Sequence, residues 1–375
     1  MVEGEINSYF LEKAFESAVQ NNDANKIQII IPTESRATGY QLTLPYNILI
    51  SSDTDTQLKI KTDIATVTLP GNMLNQEEET VNDNVSLTIS RVEETEIADE
   101  EIRKQIEERP LIQLTLALDG RQTNWHNPVA PVTVSIPYTP TAEELKNFEH
   151  ITVWYIDGSG KVVSVPNGSY DPETGTVTFS TSHFSYYAVV YVDKTFNDLS
   201  SVEWARKSIK VLASKGIING TGSNNFSPTA NITRADYLVL LVKTLGLTAE
   251  IDGNFADIST DDYYYQEIGI AKKLGIASGM GDNRFMPNVS ITRQDMMVMT
   301  ERALRMQKKL EAKGSAADLE KFNDKSLVAA YAVNGVATLV KEGLIVGIGD
   351  NINPLGNTTR AEAAAILYRI YKQLY

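Results

Sequence analysis

The chain has 375 residues, of which 34 are basic and 48 acidic, so its formal net charge is −14. This length predicts at least two domains, and the negative charge argues against nonspecific binding to nucleic acid or to an anionic membrane surface. There is no cysteine, which excludes disulfides, thiol catalysis and cysteine-ligated metal sites.

No run of apolar residues is long enough to cross a bilayer, so we expect no membrane insertion. The N-terminus "MVEGEINSYF" lacks the basic and apolar regions of a signal peptide. If the protein is exported, we expect its signal to lie outside this sequence.

Residues 1–193 are predicted to form an antiparallel β-sandwich. Short segments of alternating hydrophobicity, such as "KIQIIIP", "NVSLTISRV" and "HITVWYID", are separated by turn residues. The charged stretch "EETEIADEEIRKQIEER" predicts a short surface helix within a long loop.

A helix is predicted before the first strands. Its apolar residues have helical spacing and would cover part of the sheet: Leu11, Ala14, Phe15 and Ala18.

After Lys194 the apolar period lengthens to that of helices, and the sequence repeats three times, at about 194–250, 251–318 and 319–375. The units open at Phe196, Phe255 and Phe322, and in each of them an arginine follows 38 residues later. An apolar stripe marks the first helix of each unit: Ala205, Ile209, Leu212; Tyr264, Ile268, Ala271; Ala332, Val336, Leu339. These helices stop at Gly216, Gly275 and Gly343. Residues 194–375 therefore predict a three-repeat helical bundle with pseudo-threefold symmetry.

The second helix of each unit opens with a threonine followed three residues later by an acid. This is the pattern of a capping box, in which both side chains satisfy free backbone N–H groups. The predicted caps are Thr233 and Asp236, Thr292 and Asp295, Thr359 and Glu362.

A cap does not explain the arginine between them, at Arg234, Arg293 and Arg360. A cation at the positive end of a helix is disfavoured by about 0.3–1 kcal/mol when exposed. Two interpretations remain open at this point. The arginine and the free N–H groups could bind a carboxylate or phosphate, or the arginine could pair with Asp198, Asp257 or Asp324.

These residues carry a family resemblance. "FNDLSSVEWARKSIKVLASKGIINGTGSNNFSPTANITRADYLVLLVKTLGL" closely resembles the S-layer homology (SLH) repeat, with its F-x-D opening, tryptophan-led helix, G-I-I-x-G, F-x-P and I-T-R-A-E motifs. All three units resemble it, over about 180 residues. The resemblance implies a helical anchor that binds pyruvylated secondary cell-wall polysaccharide noncovalently.

A pyruvate ketal presents a carboxylate, which fits the predicted anion site. By resemblance, the ligand-binding residues in grooves between repeats are Arg234, Arg293, Arg360, Asp198, Asp257, Asp324, Trp204, Tyr263, Tyr331, Gly220, Gly279 and Gly347. Core packing is the alternative for the three aromatics, and a role in turns is the alternative for the glycines.

The third unit departs most from the pattern. It has Thr358 for the usual isoleucine, a shortened loop, and Ile352 where the others have Phe226 and Phe285. The second unit has Tyr263 for tryptophan and Gln294 for alanine. We therefore expect the groove of the third unit to be the weakest candidate.

The first half resembles, more weakly, the β-sandwich modules that often precede such repeats in bacterial surface proteins. His126, His150 and His183 are isolated, so neither a metal site nor a serine–histidine triad is predicted. His183-Phe184-Ser185 matches the HFS motif of autoproteolytic modules, in which the serine attacks the preceding carbonyl. Cleavage between Phe184 and Ser185 would also require backbone strain.

The sequence thus predicts a secreted, non-enzymatic cell-wall or surface-layer protein without a cofactor or metal. Its partners would be the wall polysaccharide and other surface-layer subunits. One alternative is the anchoring part of a larger secreted enzyme, such as a polysaccharide hydrolase. Another is a sandwich that itself binds carbohydrate or self-assembles.

Overall fold

The computed structural model describes residues 1–5, 26–51, 56–74 and 84–375. The chain divides into two compact units, Met1–Val192 and Asp193–Tyr375. The helix predicted around Leu11 to Ala18 lies outside the described residues.

The first unit is a sandwich of two sheets. One has the strand order β1-β3-β6-β7-β14-β10-β11, with β8 paired to β7, and the other has the order β12-β13-β9-β5-β4-β2. The strands are β1 Val2–Glu5, β2 Lys26–Ile30, β3 Gly39–Pro45, β4 Gln57–Lys61, β5 Thr66–Pro70, β6 Asn84–Arg91, β7 Leu111–Leu118, β8 Arg121–Thr123, β9 Val132–Pro137, β10 Ile151–Ile156, β11 Val162–Val165, β12 Ser169–Asp171, β13 Thr176–Thr181 and β14 Tyr186–Tyr191.

Most strand pairs are antiparallel, as predicted, but β1 pairs with β3 and β2 with β4 in parallel. The chain alternates between the two sheets from β1 to β4, so strands that meet in one sheet are separated by a strand in the other and run in the same direction. Because β1 and β2 stand at the ends of these strand orders, the two parallel pairs lie at sheet edges and not in the centre of the sandwich.

Alternate residues along the strands are buried, and their side chains form the core between the two sheets. In β6, Val85, Leu87 and Ile89 are buried while their neighbours are not. Strand β10 is buried on both faces, because its outer side chains belong to an apolar cluster that includes Ile106 of the short helix α1, Glu100–Ile106. The predicted surface helix is confirmed, and it covers part of a sheet. A second short helix, α2, spans Ala142–Lys146.

The second unit contains six helices among the described residues. They are α3 Glu203–Ser214, α4 Arg234–Leu245, α5 Tyr265–Lys273, α6 Arg293–Met306, α7 Val333–Lys341 and α8 Arg360–Leu374. All nine residues of the predicted stripes on α3, α5 and α7 are buried. Gly216, Gly275 and Gly343 follow these helices with φ of 68°, 71° and 72°, the left-handed conformation that ends a helix.

Each repeat packs its second helix against the first helix of the next repeat. The contacting pairs are α4 with α5, α6 with α7, and α8 with α3. Because the last repeat returns to the first, the three repeats form a closed ring and not an open stack.

Three backbone hydrogen bonds close this ring around its axis. Ile232 donates its N–H to Thr358, Ile291 donates to Ile232, and Thr358 donates to Ile291, with N–O distances of 2.9–3.0 Å. This cycle places the starts of α4, α6 and α8 side by side, which is what brings the site residues together.

Candidate functional site

Threonines cap the starts of α4, α6 and α8, but the predicted capping box is complete at one of the three helices. The hydroxyls of Thr233, Thr292 and Thr359 accept a hydrogen bond from the backbone N–H three residues on, at 3.0, 3.2 and 3.3 Å. Only at Thr359 does the acid, Glu362, also accept from the cap's own N–H, at 2.8 Å, because the longer glutamate reaches back.

The remaining N–H groups of these first turns are bonded to the neighbouring repeat. Arg234 and Ala235 donate their N–H groups to the carbonyls of Val289 and Pro287, at 2.9 and 3.0 Å. The same pair of bonds occurs at the other two helices. The sequence interpretation that free N–H groups await an anion is therefore wrong, since the proline loop of an adjacent repeat already caps each helix.

The three arginines also bind that loop. The Nε–H groups of Arg234, Arg293 and Arg360 donate to the carbonyls of Phe285, Ile352 and Phe226, at 3.0, 3.0 and 2.9 Å. Two guanidinium groups lie over rings, Arg234 at 4.9 Å from the centre of Phe285 and Arg360 at 4.6 Å from that of Phe226. The arginines therefore cross-link successive repeats, which compensates for their place at a positive helix end.

Two of the arginines form ion pairs with cap acids and not with the opening aspartates. Arg293 Nη1 lies 2.9 Å from Glu362, and Arg234 Nη1 lies 3.6 Å from Asp295. Burial lowers the pKa of Arg234 and Arg293, and the neighbouring acids offset part of that effect. The arginines remain charged, so each pair is a partly desolvated contact between two repeats.

The opening aspartates instead hold the loop of their own repeat. Asp198 accepts from the N–H groups of Phe226 and Ser227, at 2.9 and 2.7 Å. Asp257 and Asp324 bind the corresponding two N–H groups in their repeats. Burial would raise the pKa of Asp198, but these bonds outweigh it and lower that pKa. The second N–H in each loop belongs to a residue with positive φ, so the aspartate stabilises a strained turn.

The predicted glycines make room for the aromatic that opens each repeat. A Cβ on Gly347 would lie 2.5 Å from the Phe322 ring and 2.6 Å from the Asn351 carbonyl. A Cβ on Gly220 would lie 2.9 Å from the Phe196 ring, and one on Gly279 would lie 3.0 Å from the Phe255 ring. Packing within the repeat is therefore enough to require glycine at these positions.

The three predicted aromatics are on the surface. Trp204, Tyr263 and Tyr331 are 61%, 70% and 60% exposed, so the core-packing alternative is wrong for them. The Tyr331 hydroxyl donates to Asp295 at 2.7 Å, and that of Tyr263 donates to Asp236. Burial and the bond to Asp295 raise the pKa of Tyr331 to about 12. Each ring presents a face to solvent beside a carboxylate.

All three repeats contribute to each groove. Every groove combines the arginine of one repeat, the cap acid and glycine of the next, and the aromatic of the third. Groove 1 is formed by Arg234, Asp295, Gly279 and Tyr331. Groove 2 is formed by Arg293, Glu362, Gly347 and Trp204. Groove 3 is formed by Arg360, Asp236, Gly220 and Tyr263. Residues that stand together in one repeat of the sequence are thus divided among different grooves.

Grooves 1 and 2 contain cavities of about 290 and 520 Å³. Their lining includes Arg302 and Arg369, which sequence analysis did not single out. Both follow the motif arginine by nine residues, and Lys243 has the same place in the first repeat. The recurrence of a basic residue at this position in all three repeats could have predicted a second cation in each groove. The cap acids were also predicted as structural residues only.

Each groove brings together the kinds of group that bind acidic sugars. Guanidinium groups bind a carboxylate through two parallel N–H donors, the cap acid accepts from sugar hydroxyls, and the exposed ring stacks on a pyranose face. In a chain of net charge −14, this local arrangement is what would attract an anion.

The first unit lacks an assembled catalytic centre at the predicted residues. The hydroxyl of Ser185 donates to the Ile156 carbonyl at 2.7 Å, and His183, Phe184 and Ser185 all have negative φ. Burial, with a contribution from His126, lowers the pKa of His183. His150 bonds the Val192 carbonyl at 3.1 Å. This geometry supplies neither strain nor an oriented base for cleavage.

Among the described residues, no group of three or more potential metal-binding side chains is assembled. In the same part of the chain, no helix has the length and hydropathy needed to span a membrane.

The sequences of the three repeats match a known family. The family model of the S-layer homology domain matches residues 195–238, 254–297 and 321–364. The C-terminal unit belongs to the S-layer homology family. SLH domains are cell-surface anchoring modules, and this chain carries three of them.

Curated relatives include enzymes and surface-layer proteins. An amylopullulanase of Thermoanaerobacterium thermosulfurigenes is 34% identical over 245 residues, 65% of this chain and 13% of the relative. The surface-layer 125 kDa protein of Lysinibacillus sphaericus is 32% identical over 178 residues, 46% of this chain and 14% of the relative. The S-layer protein sap of Bacillus anthracis is 31% identical over 201 residues, 53% of this chain and 24% of the relative.

The chain thus spans less than a quarter of the length of these relatives. The amylopullulanase match covers more residues than the SLH unit contains, so it extends into the β-sandwich. The sequence similarity to this relative, which is named as an enzyme, therefore includes part of the first unit.

Proposed function

We propose that the SLH unit anchors this chain noncovalently to a bacterial cell wall by binding pyruvylated secondary cell-wall polysaccharide in its grooves. The observation that carries the proposal is the threefold recurrence of one set of groups, an arginine, a carboxylate and an exposed aromatic. A pyruvate ketal offers the matching carboxylate on a sugar ring. The S-layer proteins among the relatives support a location at the cell surface.

The arginines are poor sole probes of this function because they also cross-link the repeats. Substitution of the exposed aromatics tests binding with little effect on folding. We expect the triple variant W204A/Y263A/Y331A to keep its helical circular dichroism and melting temperature but to lose sedimentation with purified walls. The Y375A variant, which removes an exposed aromatic outside the three grooves, is the matched control.

Walls from which the pyruvyl groups have been removed provide the second arm. Wild-type protein should sediment with untreated walls and stay in solution with depyruvylated walls. Equal sedimentation with both would refute the role of pyruvate, and undiminished binding by the triple variant would refute the grooves.

We further propose that the sandwich and SLH units serve a larger secreted polypeptide, either a surface-layer protein or a polysaccharide hydrolase. The amylopullulanase and an exoglucanase of Acetivibrio thermocellus, 37% identical over 181 residues, favour the enzyme. An antibody to the SLH unit, used on wall extracts beside an activity gel, distinguishes them. A long product that hydrolyses starch or another glucan supports the enzyme, and an inactive abundant product supports the surface layer.

A further inference from the structure

The three grooves share their charged groups but differ at the rim. Two residues flank the groove glycine: Asn219 and Thr221 in groove 3, Ser278 and Met280 in groove 1, Val346 and Ile348 in groove 2. Val346 and Ile348 are 66% and 54% exposed and line the cavity of about 520 Å³. Groove 2 is therefore the one whose rim is apolar on both sides of the glycine.

The aromatic of groove 2 also differs from the other two. Asp236 and Asp295 each accept from a tyrosine hydroxyl, which ties the ring to the acid. Trp204 has no hydroxyl, and Glu362 instead accepts from Arg293 and Thr359. Groove 2 thus presents the largest aromatic face, and its carboxylate is held by groups other than that ring.

The second cation is most accessible in groove 2 as well. Arg369 is exposed and donates one Nη1 bond, to the Leu344 carbonyl at 2.9 Å. Arg302 in groove 1 is half-buried and donates to both Ile276 and Ser278. Lys243 is paired with Glu267 at 4.0 Å. Only the guanidinium groups can hold a carboxylate through two parallel bonds.

We propose that groove 2 is the primary binding site of the three and selects a carboxylate that carries an apolar substituent. The methyl group of a pyruvate ketal contacts Val346 and Ile348, its carboxylate faces Arg369, and the sugar ring stacks on Trp204. This inference rests on the proposed function and reverses the sequence expectation that the groove of the third unit is the weakest. The apolar rim formed by Val346 and Ile348 in the third repeat becomes the source of selectivity.

The test exchanges the rims. Two probes are titrated calorimetrically into the full chain: a methyl hexosaminide bearing a 4,6-pyruvate ketal, and the same sugar bearing the glyoxylate acetal, which lacks the methyl group. Wild type should prefer the pyruvate probe by about fourfold, the value of one buried methyl group. The variant V346N/I348T, which carries the groove 3 rim, should lose this preference and bind the pyruvate probe at least fivefold more weakly.

The reciprocal variant N219V/T221I is the control and should leave the tightest site unchanged. All four positions are exposed, and equal melting temperatures would show that the variants fold. Unaltered affinity and selectivity of V346N/I348T would overturn the inference while wild-type wall binding still upheld anchoring. If wild type failed to bind walls, the proposed function would fail, and this inference with it.

Discussion

At the scale of single residues, the motif arginine performs a different task from the one its sequence suggests. A cation at the first position of a helix is locally unfavourable. The Nε–H groups of Arg234 and Arg360 offset this by donating to carbonyls that are 51 and 134 residues away in the sequence, respectively. The sequence shows this local disadvantage. The partner could not be named, because it lies on another repeat.

This role predicts a large effect of Arg234→Ala on stability. The substitution leaves the Phe285 carbonyl unpaired and Asp295 without its cation, so we expect the free energy of unfolding to fall by about 2–4 kcal/mol. Chemical denaturation followed by helical circular dichroism measures it. Arg206→Ala removes a solvent-accessible arginine side chain paired with Glu203 and should leave stability nearly unchanged. Equal effects of the two substitutions would show that Arg234 is not a cross-link.

A second residue prediction concerns the ring axis. Thr358 is fully buried beside Ile232 and Ile291, and its hydroxyl has no hydrogen-bond partner among the described residues. Thr358→Val removes a buried unsatisfied polar atom while keeping the shape, so the C-terminal unit should gain about 1–2 kcal/mol. Thr292→Val, which removes a helix cap, should lose about 1 kcal/mol. A loss at Thr358 would mean that its hydroxyl is satisfied.

At the scale of elements, the proline loops connect the local and the global structure. Each loop is held by an aspartate of its own repeat and in turn caps a helix of another. The helices themselves were predictable, because threonine caps, left-handed glycines and apolar stripes act within a few residues. The loop conformations were not, because residues such as Met286 take positive φ only with this support.

This arrangement predicts acid sensitivity. Two N–H bonds outweigh burial and lower the pKa of Asp257 in the folded state. A lowered folded pKa contributes stability above the unfolded value of about 4 and loses it as the pH falls through the lower folded pKa. We therefore expect Asp257→Asn to destabilise the unit at pH 7 and to reduce its loss of stability below pH 4. Asp261→Asn, at an exposed aspartate, should preserve the wild-type acid profile. An unchanged profile for Asp257→Asn would exclude the loop aspartate as the cause.

At the scale of the whole chain, closure of the repeats into a ring determines what the SLH unit can do. The last helix, α8, packs against α3 and α4, so the third repeat completes the core and contributes to all three grooves. An open solenoid would tolerate loss of a terminal repeat, because each unit contacts only its neighbours. A closed ring has no terminal repeat.

We therefore expect deletion of residues 319–375 to abolish cooperative unfolding of the two remaining repeats. Limited proteolysis should degrade them to small fragments while the sandwich stays intact. The isolated unit Asp193–Tyr375 should unfold in one cooperative transition, which is the control. A cooperative transition in the two-repeat protein would contradict the ring as the unit of stability.

The pattern of residues is enough to predict the change in periodicity, the three repeats, their threonine caps and helix ends, and the family of the C-terminal unit. These features depend on local sequence patterns and on contacts within a few residues. They form in each repeat regardless of what the repeat packs against. The tertiary structure alone decided that the helix N-termini are closed, that the aromatics are exposed, and that each groove draws on all three repeats. Those outcomes follow from the cyclic packing, since Arg360, Asp236 and Tyr263 meet only when the third repeat returns to the first.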